Sequence, residues 1–164
     1  MKTYKDLLAK VEKVTAQKEL DLSSGEDLSI GIMNLISIEE HLFYTSQKTK
    51  NKTYLNLLNE VRAMRTELMK EIISDYEGEV WCISKHLLSA SMRLMEVGTK
   101  ELKKNEKEKA WNKFEKSYKL YSLFWGLNLG IIKKPDSKIK MPENKSIFNK
   151  LGDLVQKAID CCKE

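Results

Sequence analysis

The sequence predicts an all-α protein, an antiparallel four-helix bundle core with additional N- and C-terminal helices. The 164 residues include only 2 prolines and 7 glycines, and 41% of them are apolar and 32% charged. This composition is typical of helical domains and argues against a disordered chain or a β-sandwich. Apolar residues recur at steps of three and four, which is the period of an amphipathic helix. At this length, residues 1–164 can form one domain that buries a core without metal ions or disulfide bonds.

The first expected helix, residues 3–18, carries a single apolar stripe and should pack on a larger body. A polar break follows it, in which Ser23 and Glu26 have the spacing of a capping box. We therefore expect the second helix to extend over about residues 26–48.

A polar turn at residues 48–52 leads into a third helix, in which apolar residues follow a helical period from Tyr54 to Ile72. Such a short connection predicts an antiparallel hairpin. Residues 75–78 form the next expected turn, and a fourth helix follows over about residues 79–104.

The fifth expected helix begins after Asn105, which has Glu108 three residues on and is predicted to cap it, and it ends near Gly130. Both prolines fall in the segment that follows, which indicates a surface linker. The predicted domain thus has a core bundle over about residues 26–129, a linker over 130–145 and a C-terminal helix over about 146–162.

Small, turn and aromatic residues recur at a characteristic spacing in the hairpin of residues 91–124. They are Leu94, Val97, Gly98, Asn105, Ala110, Phe114 and Ser117. This spacing resembles that of one tetratricopeptide repeat, although Glu101 stands where the repeat prefers an aromatic residue and Ser122 where it favours proline. The resemblance implies peptide binding on a concave helical surface, which requires a stacked array, and the sequence contains no second copy.

Two charged residues are predicted to lie inside apolar helix stripes. A helical wheel places Glu39 in the middle of the apolar stripe of the second helix, and Arg65 in that of the third. Folding the hairpin at its turn brings Glu39 level with Arg62, and Arg65 lies only about 4.5 Å farther along. A buried carboxylate must be paired, and a guanidinium matches its geometry. We therefore predict a Glu39–Arg65 ion pair, with Arg62 as the other candidate.

This pair has two interpretations. It can be an internal ion pair that fixes the packing register of the hairpin. Alternatively, these charges, together with His86 and Arg93 on the fourth helix, can line a site for a small molecule, an anion or a metal ion inside the bundle.

Glu79, Cys82 and His86 lie on one side of the fourth helix, at a spacing from which they could converge on a metal ion if another helix added ligands. Charged residues flank this stripe and indicate a solvated face, so we predict no metal and no cofactor. Neither histidine has a glutamate three residues before it, as a di-iron bundle requires. Cys82 and His86 lack an identifiable oxyanion donor or orienting acid, so we predict no catalytic residues.

The fifth helix has more apolar residues than one stripe needs. We expect the surplus to be covered by the terminal helices or by another chain, which makes this surface a candidate interaction site. Its residues are Tyr118, Tyr121, Phe124 and Trp125.

The charge of the chain bears on its binding partners, and its cysteine content bears on its cellular compartment. The net charge of +5 comes mainly from lysines mixed with acidic residues, so nucleic-acid binding is an alternative that the pattern does not favour. Three cysteines, two of them adjacent, indicate no disulfide framework, and from the hydropathy of the sequence we expect neither a signal peptide nor a membrane span. We therefore expect a cytoplasmic, non-enzymatic interaction module that binds a protein partner or a second copy of itself.

Overall fold

The computed structural model describes residues 22–73 and 79–131, and within these ranges the chain forms four α-helices and no strand. The predicted all-α fold is confirmed. The predicted helices over 3–18 and 146–162, the turn over 75–78 and all but the first residues of the linker lie outside the described residues. The four helices are α1 (Leu22–Thr49), α2 (Thr53–Ile72), α3 (Glu79–Lys103) and α4 (Lys107–Asn128).

The first helix begins earlier than expected. The described part of α1 extends back to Leu22, so the backbone of Ser23 is already helical, whereas the sequence predicts a helix start at about residue 26. Serine and glycine disfavour a helix by only about 1 kcal/mol or less each, which packing readily overrides. In agreement with this, Gly25 is buried within the first turns of α1.

The turn between α1 and α2 is built from its polar residues, as predicted. Lys50 adopts a left-handed conformation with φ of 57°. The side chain of Asn51 then accepts a hydrogen bond of 2.9 Å from the backbone N–H of Thr53, the first residue of α2. The short connection makes α1 and α2 an antiparallel hairpin.

Asn105 ends α3, and the prediction that it caps the next helix is wrong. Its φ is 62°, and its N–H donates to the carbonyl of Leu102 over 2.9 Å. The N–H of Glu106 donates to the carbonyl of Glu101 over 3.0 Å. These two bonds form a Schellman motif, in which asparagine tolerates the left-handed position. Glu106 occupies the N-cap position of α4 and makes no side-chain capping hydrogen bond there.

Helices α3 and α4 form a second antiparallel hairpin through contacts between small residues. A Cβ atom at Gly98 would lie only 2.6 Å from Cε1 of Phe114, so the glycine is what allows the two helices to approach. Farther along, the hydroxyls of Ser91 and Ser117 each donate to the other residue's carbonyl, over 2.9 and 2.7 Å. Gly98, Phe114 and Ser117 are among the positions at which the sequence of this hairpin resembles a tetratricopeptide repeat.

All four helices contribute to one apolar core, which lies where α1 and α3 begin and α2 and α4 end. Two side-chain contacts tie the hairpins together: the hydroxyls of Ser29 and Tyr121 are 2.7 Å apart, and Arg93 on α3 pairs with Glu40 on α1. No described helix combines the length and apolar character needed to cross a bilayer. The core residues are Ile32, Met33, Met69, Ile72, Ile73, Val80, Leu87, Leu88, Phe124, Trp125 and Leu129.

Candidate functional site

Two arginines of α2 hold the carboxylate of Glu39 on α1. The Nε atom of Arg62 donates to Oε2 over 2.8 Å, and Nε of Arg65 donates to Oε1. Glu39 is only 8% exposed and Arg65 only 5% exposed. The predicted Glu39–Arg65 pair is therefore confirmed, and Arg62, the other candidate, binds the same carboxylate from one turn away.

The guanidinium of Arg65 is enclosed as well as paired. Its Nη1 atom lies 3.3 Å from the sulfur of Met69, which belongs to the core. Arg62 differs, because 55% of its side chain is exposed although its Nε is bound to Glu39. The arginine pair thus has one sealed member and one that faces solvent.

Glu39 is held in its charged form. Burial by itself raises the pKa of this carboxyl group, but the hydrogen bonds and charges of Arg65 and Arg62 outweigh burial and lower the pKa below its usual value. A group of this kind does not exchange protons near neutral pH, as a general acid or base must. Glu39 therefore acts as a fixed negative charge that organises two cations.

Glu40, the next residue along α1, pairs with a different partner from Glu39. It forms an ion pair with Arg93 of α3, and both side chains are well exposed, by 39% and 45%. His86 is also exposed and has no part in either ion pair. The structure thus brings Glu39, Arg62 and Arg65 together and leaves the other two predicted site residues, His86 and Arg93, outside this cluster.

A cleft of about 540 Å³ opens beside the buried ion pair, between the α1–α2 hairpin and α3. Its apolar lining includes Phe43 and Tyr44, whose rings meet edge to face with centroids 5.3 Å apart. Both rings are exposed, Phe43 by 47% and Tyr44 by 68%. The remaining lining residues are Ile36, Glu39, Glu40, Leu58, Arg62, Arg65 and Lys85. We call this the charged cleft.

Of the residues that line the charged cleft, sequence reasoning assigned only Glu39, Arg62 and Arg65 to a site, and it missed the two exposed rings and Lys85. Tyr44 follows Phe43 directly, so the two rings cannot both lie on one narrow apolar stripe, and this surplus was the available signal. Lys85 reaches the cleft from α3, and only the packing of α3 against the first hairpin reveals its position.

Glu79, Cys82 and His86, the residues that the sequence offered as metal ligands, are all exposed. Within residues 22–73 and 79–131, no group of three or more His, Cys, Asp or Glu side chains is close enough to hold a metal ion.

The predicted aromatic surface on α4 is wrong for two of its four residues. Phe124 and Trp125 are 0% and 1% exposed and belong to the core. Tyr121 is half-buried and bonded to Ser29, and burial raises the pKa of its hydroxyl, whereas Tyr118 is 42% exposed. Helix α4 carries more apolar residues than one stripe needs because it packs against more than one helix in the core, and each of these contacts requires apolar side chains.

A second, smaller groove of about 260 Å³ runs between α1, α3 and α4. It is lined almost wholly by apolar side chains, including Met33, Met92, Met95, Phe114 and Tyr118. Two residues of the predicted aromatic surface, Tyr118 and Tyr121, lie here. We call this the methionine groove.

No protein-family profile matches the chain, and neither the curated proteins nor the solved structures include a significant match.

Proposed function

We propose that the protein is a non-enzymatic interaction module that binds a short segment of a partner protein in the charged cleft. The observation that carries this proposal is the pair of exposed rings, Phe43 and Tyr44, at a cleft that also contains arginine. Aromatic residues and arginine are enriched in protein interfaces, and they dominate binding energy where a pocket receives a partner side chain.

The base of the charged cleft supports this proposal because it is fixed before a partner arrives. Glu39 and Arg65 are buried and bound to each other, so these side chains lose little conformational freedom on binding. A preorganised surface loses less of its binding energy to side-chain ordering. The same pairing disfavours an enzymatic role for Glu39, since both of its carboxylate oxygens already accept hydrogen bonds from arginine.

A displayed library of random peptides, selected against the full-length protein, tests this function. Selected peptides are then titrated calorimetrically against the wild type, the double variant Phe43→Ser/Tyr44→Ser and the control Trp111→Ser. Trp111 is 66% exposed, which makes it an aromatic of similar accessibility on α4, away from the cleft.

We expect the wild type and the Trp111 variant to bind with the same Kd, and the double variant to bind at least about ten-fold more weakly, because buried aromatic contacts are commonly worth over 1 kcal/mol. A selection without enriched peptides, or peptides that bind all three proteins equally, would contradict the proposal. Circular dichroism and thermal unfolding of each variant verify that the fold is retained.

A further inference from the structure

We infer that the partner segment presents an aspartate or glutamate next to a large apolar side chain, and that Lys85 and Arg62 bind its carboxylate. This inference rests on the proposed function of the charged cleft. Some charged side chains of the cleft already have an ion-pair partner, whereas others can still bind a ligand.

The two carboxylates of the charged cleft are engaged. Both oxygens of Glu39 accept hydrogen bonds from Arg62 and Arg65, and Glu40 is paired with Arg93, which does not line the cleft. Neither carboxylate therefore needs a cation from a ligand. A basic partner would instead have to compete with arginines that are already in place.

The cations of the charged cleft outnumber its carboxylates, since Arg62, Arg65 and Lys85 face Glu39 and Glu40. Arg65 is sealed, with only 6% of its side chain exposed. Lys85 is half-buried and has no acidic partner within the described ranges. Arg62 uses its Nε for Glu39 while more than half of its side chain stays exposed, so its two Nη groups remain accessible.

The groups left to a ligand are thus cationic hydrogen-bond donors, which match an anion. A carboxylate matches the cleft better than a phosphate, because three cations and two carboxylates give the lining a net charge of +1, which one carboxylate neutralises and a phosphate dianion would exceed. The apolar walls of Ile36 and Leu58 and the two exposed rings require an apolar group beside that charge. The net charge of +5 would also speed the approach of an acidic segment.

The test uses a peptide from the selection that contains one acidic residue, together with its amide counterpart, in which asparagine or glutamine replaces that residue. Both are titrated against the wild type, Lys85→Met and the control Lys119→Met. Lys119 is an exposed lysine of α4, so the control changes the net charge by the same amount without altering the cleft.

We expect Lys85→Met to weaken binding of the acidic peptide by about ten-fold and Lys119→Met to change it less than two-fold, because surface charges act weakly over distance in salt. The amide peptide should bind the wild type and Lys85→Met equally. The charge-reversed variant Lys85→Glu should prefer a peptide with lysine at the acidic position, which a general loss of structure would not produce.

Two results would overturn the inference and leave the proposed function standing. One is a set of cleft-dependent peptides without enrichment of acidic residues, and the other is equal binding of the acidic peptide to wild type and Lys85→Met. Tighter binding of a phosphoserine peptide than of the acidic peptide would also overturn the choice of a carboxylate. If no selected peptide depends on Phe43 and Tyr44, the proposed function itself fails.

Discussion

Arg65 donates its Nε hydrogen to Oε1 of Glu39 across the α1–α2 hairpin, and both side chains are buried. The two residues are 26 positions apart, so the bond fixes how the hairpin is aligned. A slip of either helix by one residue would separate a buried charge from its partner, which costs several kcal/mol.

The first prediction concerns the coupling of this pair. Glu39→Leu leaves the Arg65 guanidinium buried without its main counter-charge, and we expect it to lower the free energy of unfolding by about 3–5 kcal/mol. Arg65→Met should have a similar effect. The double variant should recover most of the loss, since an apolar pair can replace a buried ion pair at little cost. Urea unfolding of all four proteins gives the coupling energy, and purely additive losses would show that the pair is not coupled.

The second prediction compares neighbouring glutamates. Glu40 and Arg93 are both more than one-third exposed, so water and salt screen their attraction. We expect Glu40→Gln to reduce the free energy of unfolding by less than about 1 kcal/mol, and 1 M NaCl to remove that difference. Thermal unfolding with and without salt measures both effects. A loss as large as that of Glu39→Leu would mean that the pair is not a surface interaction.

The third prediction concerns pH. The pKa of Glu39 is lower in the folded protein than its ordinary value of 4.5, so the unfolded chain takes up a proton first as the pH falls. The stability that Glu39 contributes is present above the ordinary value and is lost as the pH falls through the lowered pKa of the folded state. The difference in the free energy of unfolding between wild type and Glu39→Gln should therefore shrink from pH 7 to pH 3. Urea titrations at several pH values measure it, and a constant difference would show that the pKa is not lowered.

The fourth prediction uses two glycines as a matched pair. Gly98→Ala would place Cβ 2.6 Å from a carbon of the Phe114 ring, and we expect a loss of about 1–3 kcal/mol from overpacking. Gly31 is exposed in α1, and a Cβ there meets no described atom within 4 Å. Gly31→Ala should therefore raise the free energy of unfolding by up to about 1 kcal/mol, because alanine favours a helix. Phe114→Leu should relieve the Gly98→Ala defect, and equal effects of the two alanines would exclude close packing as the cause.

The helical period was sufficient to predict the fold class, the first hairpin and the ion pair. Glu39 and Arg65 could be found because each interrupts an apolar stripe, and the length of the turn determines how two antiparallel helices align. Both facts are local properties of the sequence. No information about the rest of the fold was needed.

Signals that depend on neighbouring helices were misread or missed. Asn105 and Glu108 have the spacing of an N-terminal helix cap. Asparagine also suits the left-handed conformation that ends a helix, and only the fold shows which of the two roles Asn105 has. The helical wheel of α4 predicts that Phe124 and Trp125 lie at a surface, but both are buried, because a wheel does not show how many helices surround its own. Lys85 enters the charged cleft from a separate hairpin, which the period of its own helix cannot reveal.

The position of the core also has a consequence for synthesis of the chain. Ile32 and Met69 lie in the first two described helices, whereas Phe124 and Trp125 lie near the end of the last. On the ribosome, the apolar faces of α1, α2 and α3 are therefore made well before the two large rings against which they pack. Until then this surface stays open to water and to other chains, a state in which aggregation competes with folding. Each hairpin can form as it leaves the ribosome, but the shared core can form only after Phe124 and Trp125 have been synthesised.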